Sequence, residues 1–445
     1  MSSASTIYAL SSGQGPAAIA VIRISGPRAV DALLALTGSV PEPRRAALRR
    51  LSRPIRGTLL DEALVLYFKA PHSETGEDLV ELHAHGGRAV VSAILAELAK
   101  LEGYRLAEPG EFVRRAFEAG KLDLVGIEGL ADLINAETEA QREQAIRQAA
   151  GEPSRLYESW RQNLLEALAL AEASLDFAEE ADVAADAYAR AISVARPIHD
   201  EMRDRLADDH RGEILREGFR VVLAGPPNAG KSSLLNALAR RDVAIVSPEA
   251  GTTRDALEVR LDLGGYPVIV TDTAGLREPE GAIEAEGIRR SLGHMRQAQM
   301  VLWLVESTGG TVEPPVGVQA IGAPIRPIIT KGDLVCRPVP GMMPDTLRVS
   351  ARTGRGLSEL IHEIGEAASK ALATGSTAII TRERHRLALE EMVAGLADFQ
   401  ASDPSRPELG VEELRRSVIA LGRLTGRIDV EDVLGVIFGS FCIGK

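Results

Sequence analysis

A phosphate-binding loop in the middle of the chain constrains the fold more than any other feature. Residues 225–232 have the sequence GPPNAGKS and match the pattern G-x-x-x-x-G-K-[ST]. The apolar run 221–224 directly precedes the loop, and a helical pattern at residues 232–240 follows it. Such a loop needs a strand before it and a helix after it, because N–H groups at the helix N-terminus must point at the phosphates. The sequence therefore predicts an α/β domain that binds a nucleotide.

Short β-rich runs on both sides of the loop predict the sheet that carries it. They occupy residues 219–224, 268–271, 300–305 and 327–330, and helical patterns with Gly/Pro turns separate them. This alternation is typical of βαβ units and a mainly parallel sheet. We therefore predict an α/β domain over residues 216–374.

The segments that flank this domain are expected to be helical. Only two prolines occur between residues 120 and 218, and only two follow residue 370. Apolar residues also recur at helical spacing, as in the stripe Leu387, Leu389, Met392 and Leu396. The prediction is a discontinuous helical domain, residues 120–215 and 375–445, into which the α/β domain is inserted.

The first 119 residues predict a separate α+β domain. Strand-like runs occupy residues 17–24, 63–68 and 79–83, and residues 90–101 have a helical pattern. No secretory signal is expected at this end, since no basic region precedes the apolar run at residues 17–24.

Composition excludes several classes of protein. The chain has 51 Lys+Arg and 63 Asp+Glu, so its formal charge is 51 − 63 = −12, which disfavours a generic basic coat for nucleic acid but allows a local basic patch. Aromatic residues make up only 4%, too few for a protein built on base-stacking platforms. Two distant cysteines, Cys336 and Cys442, rule out a disulfide scaffold, and no apolar run approaches the roughly 18–20 residues that span a membrane. We expect a soluble cytoplasmic protein.

Two motifs after the loop predict its Mg²⁺ and phosphate contacts. Asp272 follows a strand and begins the run DTAG, in which Asp272 can hold Mg²⁺ through water and the Gly275 N–H can contact the γ-phosphate. In the run GTTRD at residues 251–255, a threonine hydroxyl can complete the Mg²⁺ shell, and we assign Thr253 over Thr252. An ordinary turn is the alternative explanation of that run.

The run TKGD at residues 330–333 predicts which base is bound. A carboxylate at Asp333 can accept from the N1–H and 2-amino groups of guanine, a pair that adenine lacks, and leaving it unpaired is costly. A backbone N–H at Ser350 or Ala351 would reach guanine O6. With Lys231 neutralising β- and γ-phosphate oxygens and Ser232 ligating Mg²⁺, the motifs together describe a GTPase.

The residues that would cleave GTP are less evident. Leu276 stands where Ras-like enzymes place a glutamine that orients water, and no arginine in cis is apparent. Asn228 is a candidate ligand for a monovalent cation, over which residues 247–252 could fold with their carbonyls. From the residues alone, a turn cap is the favoured interpretation of Asn228.

Taken together, motifs along the whole chain resemble those of the MnmE (TrmE) family of tRNA-modification GTPases. The GTPase motifs alone would be shared with other G proteins, whereas the two ends of the chain together with the insertion are specific. The runs that carry the resemblance are VIRISG at 21–26, GED at 76–78, HGG at 85–87, PGEF at 109–112, KLDL at 121–124, PNAGKSSLLN at 227–236, GTTRD at 251–255 and FCIGK at 441–445.

The resemblance implies a fold and a reaction cycle. The N-terminal domain would bind folate and dimerise, and a Ras-like G domain would be inserted in a helical domain. The G domains would pair when GTP is bound, with K⁺ in place of an arginine finger. As a homodimer, and as a heterotetramer with the FAD-containing, NADH-using subunit MnmG (GidA), the protein would build a carboxymethylaminomethyl or aminomethyl group on the wobble uridine of certain tRNAs. The carbon would come from a tetrahydrofolate.

The resemblance also implies roles for individual residues. Glu284 would orient the hydrolytic water, and Lys231 and Glu284 are the expected catalytic residues. The expected K⁺ ligands are Asn228, Ser247, Glu249 and Thr252, and the expected Mg²⁺ ligands are Ser232 and Thr253. The expected folate contacts are Arg23, Glu81, Lys121 and Lys445. The positions expected to contact GTP are Asn228, Ala229, Gly230, Lys231, Ser232, Ser233, Ser247, Pro248, Glu249, Ala250, Gly251, Thr252, Thr253, Asp272, Thr273, Ala274, Gly275, Thr330, Lys331, Gly332, Asp333, Ser350 and Ala351.

Non-functional roles stay open as alternatives for several of these positions. Glu284 is one of several acids on a predicted surface helix, and the folate contacts could be ordinary surface charges. Cys442 is either a functional thiol near the folate site or an inert apolar residue. The family usually has Asn where Thr330 stands, and Pro248 stiffens the cation loop.

Two other functions fit parts of the sequence. A regulatory GTP switch, in ribosome assembly or a stress response, would need a dedicated RNA-binding domain, and none is apparent. A folate enzyme with a degenerate G domain is weakened by the complete phosphate-binding loop. The basic residues after residue 381 could attract tRNA, but interleaved acids favour a salt-bridged helical surface.

Overall fold

The structure is a computed structural model in which two compact units are described. The described residues are 5–13, 15–176, 181–208, 210–245, 258–272, 292–308, 313–334, 346–372, 378–403, 406–428, 431–439, 441 and 444. The first unit comprises residues 1–131, 148–195 and 395–445, and the second comprises residues 132–147 and 196–394. The predicted helical domain is divided between these two units. The predicted domain limits stay a prediction.

The first unit contains a six-stranded, mainly antiparallel sheet in the order β3-β4-β5-β2-β1-β6. Only the pair of β1 with β6 is parallel. Its strands are β1 (Thr6–Leu10), β2 (Ala17–Ser25), β3 (Ala47–Ser52), β4 (Leu59–Phe68), β5 (Leu79–Gly86) and β6 (Tyr104–Leu106). Alternating apolar residues of the central strands pack against α1 (Ala29–Thr37) and α2 (Arg88–Leu98). The strands predicted at residues 17–24, 63–68 and 79–83 are therefore confirmed.

The helix predicted over residues 90–101 is displaced towards the N-terminus. It begins at Arg88 and ends at Leu98. The predicted end was three residues too late, because the last apolar residue of the run belongs to the turn that leads into β6. Leu101 is half-buried against the core from that turn, so an apolar contact continues after helical geometry has ended.

The second unit contains a five-stranded sheet in the order β11-β10-β7-β9-β8. All pairs are parallel except β8 with β9. The strands are β7 (Phe219–Ala224), β8 (Glu258–Leu263), β9 (Tyr266–Asp272), β10 (Met300–Glu306) and β11 (Ile325–Thr330). The four predicted strands of the α/β segment are thus confirmed. Apolar runs such as Phe219–Ala224 are buried on both faces, as a central parallel strand requires.

The remaining helices in the part of the chain that the structure describes follow in chain order. They are α3 (Glu111–Glu118), α4 (Leu124–Asn135), α5 (Glu139–Ala149), α6 (Glu152–Asp176), α7 (Ala181–Leu206), α8 (Arg211–Glu217), α9 (Lys231–Ala239), α10 (Val316–Gln319), α11 (Leu357–Leu372), α12 (Glu383–Ala401), α13 (Pro407–Thr425) and α14 (Glu431–Gly439). In the first unit α6 packs on α13. No helix in the described parts of the chain is both long and apolar enough to cross a membrane.

One residue of the predicted apolar stripe on α12 was wrongly placed. Leu389, Met392 and Leu396 are fully buried, whereas Leu387 is 57% exposed. Leu387 lies two residues before Leu389, which on a helix is more than half a turn away from the buried face. Only the i, i+3, i+7 part of the stripe therefore reaches the core.

Acidic side chains pair with basic residues near the end of the chain, but most of these partners come from distant segments rather than from the interleaved acids. In the first unit Arg415 pairs with Glu412 and Glu172, and Arg427 pairs with Glu158. In the second unit Arg386 is nearly buried between Asp208 and Glu213. These helices present a salt-bridged surface rather than a free basic one.

Candidate active site

The phosphate-binding loop has the backbone that its glycines and asparagine allow. Gly225, Asn228 and Gly230 all have positive φ, at 152°, 62° and 89°. A Cβ on Gly225 would lie 2.5 Å from the carbonyl oxygen of Leu304, so no side chain fits there. Asn tolerates the left-handed region better than most residues, which gives Asn228 a conformational role as well as a candidate ligand role. The loop ends where α9 begins at Lys231.

Lys231 is held under this loop. Its Nζ donates to the carbonyl oxygens of Gly225, at 3.1 Å, and Pro226, at 3.0 Å. Burial lowers the pKa of Lys231, and the charge of Asp272 opposes that effect. The Lys231 side chain therefore belongs to the N-terminus of α9, where backbone N–H groups and positive charge together suit an anion.

Ser232 and Asp272 lie side by side at the carboxyl ends of the sheet. The Ser232 hydroxyl donates to Asp272 Oδ2 at 2.5 Å, although the two residues are 40 positions apart. Asp272 Oδ1 is buried and has no hydrogen-bond partner among the described residues. A carboxylate oxygen with a spare lone pair next to a hydroxyl is a suitable donor set for Mg²⁺, which prefers oxygen ligands.

A cavity of about 330 Å³ adjoins the loop and has the chemistry of a base pocket. Asp333 lies in its wall and accepts from the Ser350 hydroxyl at 2.6 Å and from Arg352 Nη2 at 2.7 Å. The Ser350 hydrogen bond, with a smaller contribution from Arg352, lowers the pKa of Asp333, so the carboxyl group stays an acceptor. The cavity is lined by Gly230, Ser233, Leu234, Thr330, Lys331, Asp333, Leu334, Val349, Ala351 and Arg352.

The role of Ser350 and Arg352 in this pocket was missed from the sequence. Ser350 was expected to contribute only its backbone N–H, whereas its side-chain hydroxyl donates to Asp333 and orients it. The hydroxyl of Ser350 and the guanidinium of Arg352, close after the bridge residue Arg348, were the available signal. Nothing in the sequence pairs them with a carboxylate 17 or 19 positions earlier.

The first unit gathers three of the four predicted folate contacts. Arg23 and Glu81 pair across β2 and β5, with Arg23 Nε donating to Glu81 Oε1 at 2.9 Å. Arg23 also pairs with Glu74 at 2.9 Å. A Cβ on Gly76 would lie 3.7 Å from Lys121 Cε, which places Lys121 beside the β4–β5 loop that also carries Glu74.

The C-terminal end of the chain reaches the start of this sheet. Gly444 has a φ of 103°, and a Cβ there would lie 2.2 Å from the carbonyl oxygen of Leu10. Sequence reasoning missed Glu74 and also His83, whose Nε2 is 3.1 Å from Glu81 Oε2. The alternation of β5 could have found His83, because residues two apart on a strand share a face.

Comparison with known proteins decides the family. Residues 124–442 match the model of the MnmE helical domain, and residues 6–121 match that of the GTP-binding protein TrmE N-terminus. The tRNA modification GTPase MnmE of Rhodopseudomonas palustris is 50% identical over 457 residues, and that of a Methylobacterium species is 53% identical over 445, each match covering 99% of both chains. The chain belongs to the MnmE family.

Solved structures align with smaller parts of this family member. They include an Era variant of Aquifex aeolicus bound to GDP.AlF4⁻, with 24% identity over 41% of this chain and 67% of that chain and a TM-score of 0.28. They also include the G domain of the FeoB iron transporter of T. maritima, with 26% identity over 34% of this chain and 98% of that chain and a TM-score of 0.25.

Thr330 ties the base motif to the phosphate loop. Its hydroxyl donates to the carbonyl oxygen of Ala229 at 2.6 Å, and the Val305 carbonyl lies 3.3 Å away. The next residue, Lys331, has a φ of 53° and pairs with Glu306 at 3.0 Å. Thr330 therefore supplies a donor to the loop, and its hydroxyl offers no amide to the base.

Several predicted site residues of this family member lie outside the described residues. For these the predictions stay untested by the structure. They are Ser247, Pro248, Glu249, Ala250, Gly251, Thr252, Thr253, Thr273, Ala274, Gly275, Glu284, Cys442 and Lys445. Within the described part of the chain, no cluster of three or more His, Cys, Asp or Glu side chains could hold a metal ion.

Proposed function

We propose that this chain hydrolyses GTP as part of tRNA modification. The observation that carries the proposal is the base pocket, in which the largely buried carboxylate of Asp333 lies next to a complete phosphate-binding loop. The relatives that it matches over nearly their full length are named tRNA modification GTPases. In the proposed site Lys231 neutralises β- and γ-phosphate oxygens, and Asp333 accepts from guanine.

Mg²⁺ would be held by Ser232, with Asp272 acting through water and Thr253 as a further ligand. Asp272 Oδ1 supports this assignment, because it is buried and has no hydrogen-bond partner among the described residues. When bound, the ion offsets charge on the phosphate oxygens.

K⁺ activation is the next part of the proposal. Asn228 would contribute its side-chain oxygen to the ion, with Ser247, Glu249 and Thr252 as further contacts and Glu284 orienting the water. Support comes from the exposed position of Asn228 at the rim of the loop. Its left-handed backbone also lets the loop turn without a glycine there.

Turnover in KCl and NaCl tests the cation assignment. We expect faster hydrolysis in KCl for the wild type and equal rates in both salts for Asn228→Gly. Glycine is the matched variant because it keeps the positive φ, whereas Asn228→Ala adds backbone strain. Equal wild-type rates in both salts would contradict K⁺ activation while leaving GTP hydrolysis intact.

The N-terminal part of the first unit would bind a tetrahydrofolate derivative. Glu81 would accept two N–H bonds from the pterin ring, and Arg23, Lys121 and Lys445 would bind the glutamyl tail. The mutual pairing of Arg23 and Glu81 supports a site with both charges at hand. Cys442 stays a candidate thiol near that site.

The full reaction would need a second protein. We propose that a homodimer of this chain works in the cytoplasm with the FAD-containing MnmG (GidA) subunit. Together they would place a carboxymethylaminomethyl group on the wobble uridine, position 34, of certain tRNAs. Mass spectrometry of tRNA from a deletion strain tests this step, because unchanged wobble uridines would favour a regulatory GTP switch instead.

A further inference from the structure

The N-terminal part of the first unit contains a dense run of arginines. Six occur within the 13 residues from 44 to 56, and residues 43–60 contain no acidic residue. This segment has a formal charge of +6 in a chain whose net charge is −12. The six are Arg44, Arg45, Arg49, Arg50, Arg53 and Arg56. We call residues 44–56 the arginine edge.

The fold places the arginine edge along one side of the six-stranded sheet. β3 lies at the end of the strand order and pairs with β4. The six residues of β3 extend for about 20 Å at ~3.3 Å each. Proteins often put one or two charges on an edge strand to prevent unwanted strand pairing. β3 itself carries two, Arg49 and Arg50, and the other four arginines flank it, so that purpose does not account for the whole cluster.

Acidic neighbours pair with three of these six arginines. Glu42 pairs with Arg45 at 2.9 Å, Glu62 is 3.8 Å from Arg50, and Glu97 is 3.5 Å from Arg53. Glu97 is shared with a lysine at 2.8 Å. The pairs of Arg45 and Arg50 are exposed on both partners and are therefore weak, so these two guanidinium groups stay available to another anion.

A second basic feature adjoins the start of the arginine edge. A cavity of about 410 Å³ there is lined by Pro43, Arg44, Lys69, Ala70 and His72. Arg44 lies 5.8 Å over the ring of Phe68 and donates to the His72 carbonyl at 2.6 Å, so its guanidinium is fixed beside Lys69. A positioned arginine next to a lysine in a concave surface suits a phosphate group.

We propose that the arginine edge and the adjoining cavity bind the phosphate backbone of RNA. Arginine predominates over lysine here, and its planar fork matches phosphate oxygens. The inference rests on the proposed function, in which an RNA is the substrate, and it assigns that RNA a docking surface distant in sequence from the nucleotide motifs. Leu48 and Ile55, 67% and 97% exposed, lie in the same segment, so anionic lipid is the competing ligand that a test must separate.

The test measures binding of a tRNA transcript to the full chain as a function of salt. The variant is Arg50→Gln with Arg53→Gln and Arg56→Gln, which removes three charges that lie outside the nucleotide and folate sites. The matched control changes three arginines of the same unit that lie outside the arginine edge, and it therefore alters net charge equally. The control substitutions are Arg415→Gln, Arg416→Gln and Arg427→Gln.

The expected effect follows from counterion release. Each phosphate contact contributes about 0.7–0.9 to the slope of log K against log salt, so the edge variant should lower the slope by about 2. We expect its dissociation constant for tRNA to rise at least about tenfold near 0.1 M salt. The control should stay within about twofold of the wild type, and both variants should hydrolyse GTP at the wild-type rate.

Three results would overturn the inference. Equal weakening in the variant and the control would mean that only net charge acts. Unchanged tRNA binding by the edge variant would remove the surface from the RNA contact. Binding of the wild type to vesicles that contain anionic phospholipid, without binding to tRNA, would assign the surface to a membrane.

Failure of the proposed function can be told apart from failure of this inference. If the wobble uridines of the deletion strain are still modified while the edge variant loses tRNA affinity, the proposed function is refuted and the RNA surface is retained. If the deletion strain loses the wobble-uridine modification and the edge variant binds tRNA normally, only the inference about the RNA surface is refuted.

Discussion

Substitution of Asp333 by asparagine should change which base the protein accepts. The carboxylate is positioned by the Ser350 hydroxyl at 2.6 Å and its side chain is only 12% exposed. In the proposed complex it accepts from N1–H and the 2-amino group of guanine. An asparagine amide offers one acceptor and one donor, so its NH₂ group faces the 2-amino group of guanine, donor against donor. Xanthine keeps N1–H and has an oxygen at position 2, and it therefore suits asparagine.

The magnitude follows from two hydrogen bonds to an ionised acceptor. Each such bond is worth roughly ten- to a hundredfold in affinity. Asp333→Asn should therefore weaken GTP binding by about 10²–10⁴-fold and strengthen binding of xanthosine triphosphate by a similar factor. The phosphate-binding loop is unchanged, so turnover with saturating xanthosine triphosphate should approach that of the wild type with GTP.

The assay is a titration with fluorescent guanine and xanthine nucleotides, followed by turnover with each. Arg352→Ala is the matched control, because it removes the other partner of the carboxylate. Arg352 is 76% exposed, and an exposed pair contributes at most about fivefold. If Asp333→Asn bound GTP within threefold of the wild type, or if Arg352→Ala mimicked it, the carboxylate would not be the group that selects the base.

Three further substitutions test the site and the core. Thr330→Val keeps the side-chain shape but removes the donor to the loop carbonyl, so GTP should bind about tenfold more weakly in the same titration, and Thr330→Asn should restore binding. Glu111 would have a raised pKa from burial alone, but hydrogen bonds from Arg105 and other donors lower the pKa to about 2. Its contribution of about 3 kcal/mol is therefore present above about pH 4.5 and is lost as pH falls towards 2, so urea unfolding of Glu111→Gln should depend less on pH in that window than the wild type. Gly212→Ala puts a Cβ 2.2 Å from a carbonyl oxygen and should cost about 1–3 kcal/mol in thermal unfolding, whereas Gly317→Ala, with nothing within 4 Å, should cost nothing.

Local patterns were sufficient to predict the elements that carry the nucleotide site. The strand Phe219–Ala224 and the helix that begins at Lys231 follow from an apolar run, a glycine loop and a helical stripe, all within a short stretch of chain. The two errors have different local causes. Leu101 continues an apolar run into a turn, and Leu387 resembles a stripe residue but lies on the exposed side of its helix.

What the sequence by itself determined is the chemistry of each motif, because the residue types and their spacing already specify a phosphate-binding loop and a carboxylate for guanine. Only the tertiary structure decided which groups meet. Arg23 and Glu81 are 58 positions apart, and Ser232 and Asp272 are 40 apart, yet each pair is in hydrogen-bond contact. The same holds for the hydroxyl of Thr330, which lies 101 positions from the carbonyl it binds. The physical reason is that strand pairing and sheet order bring these groups together, and no periodicity along the chain encodes a contact across a sheet.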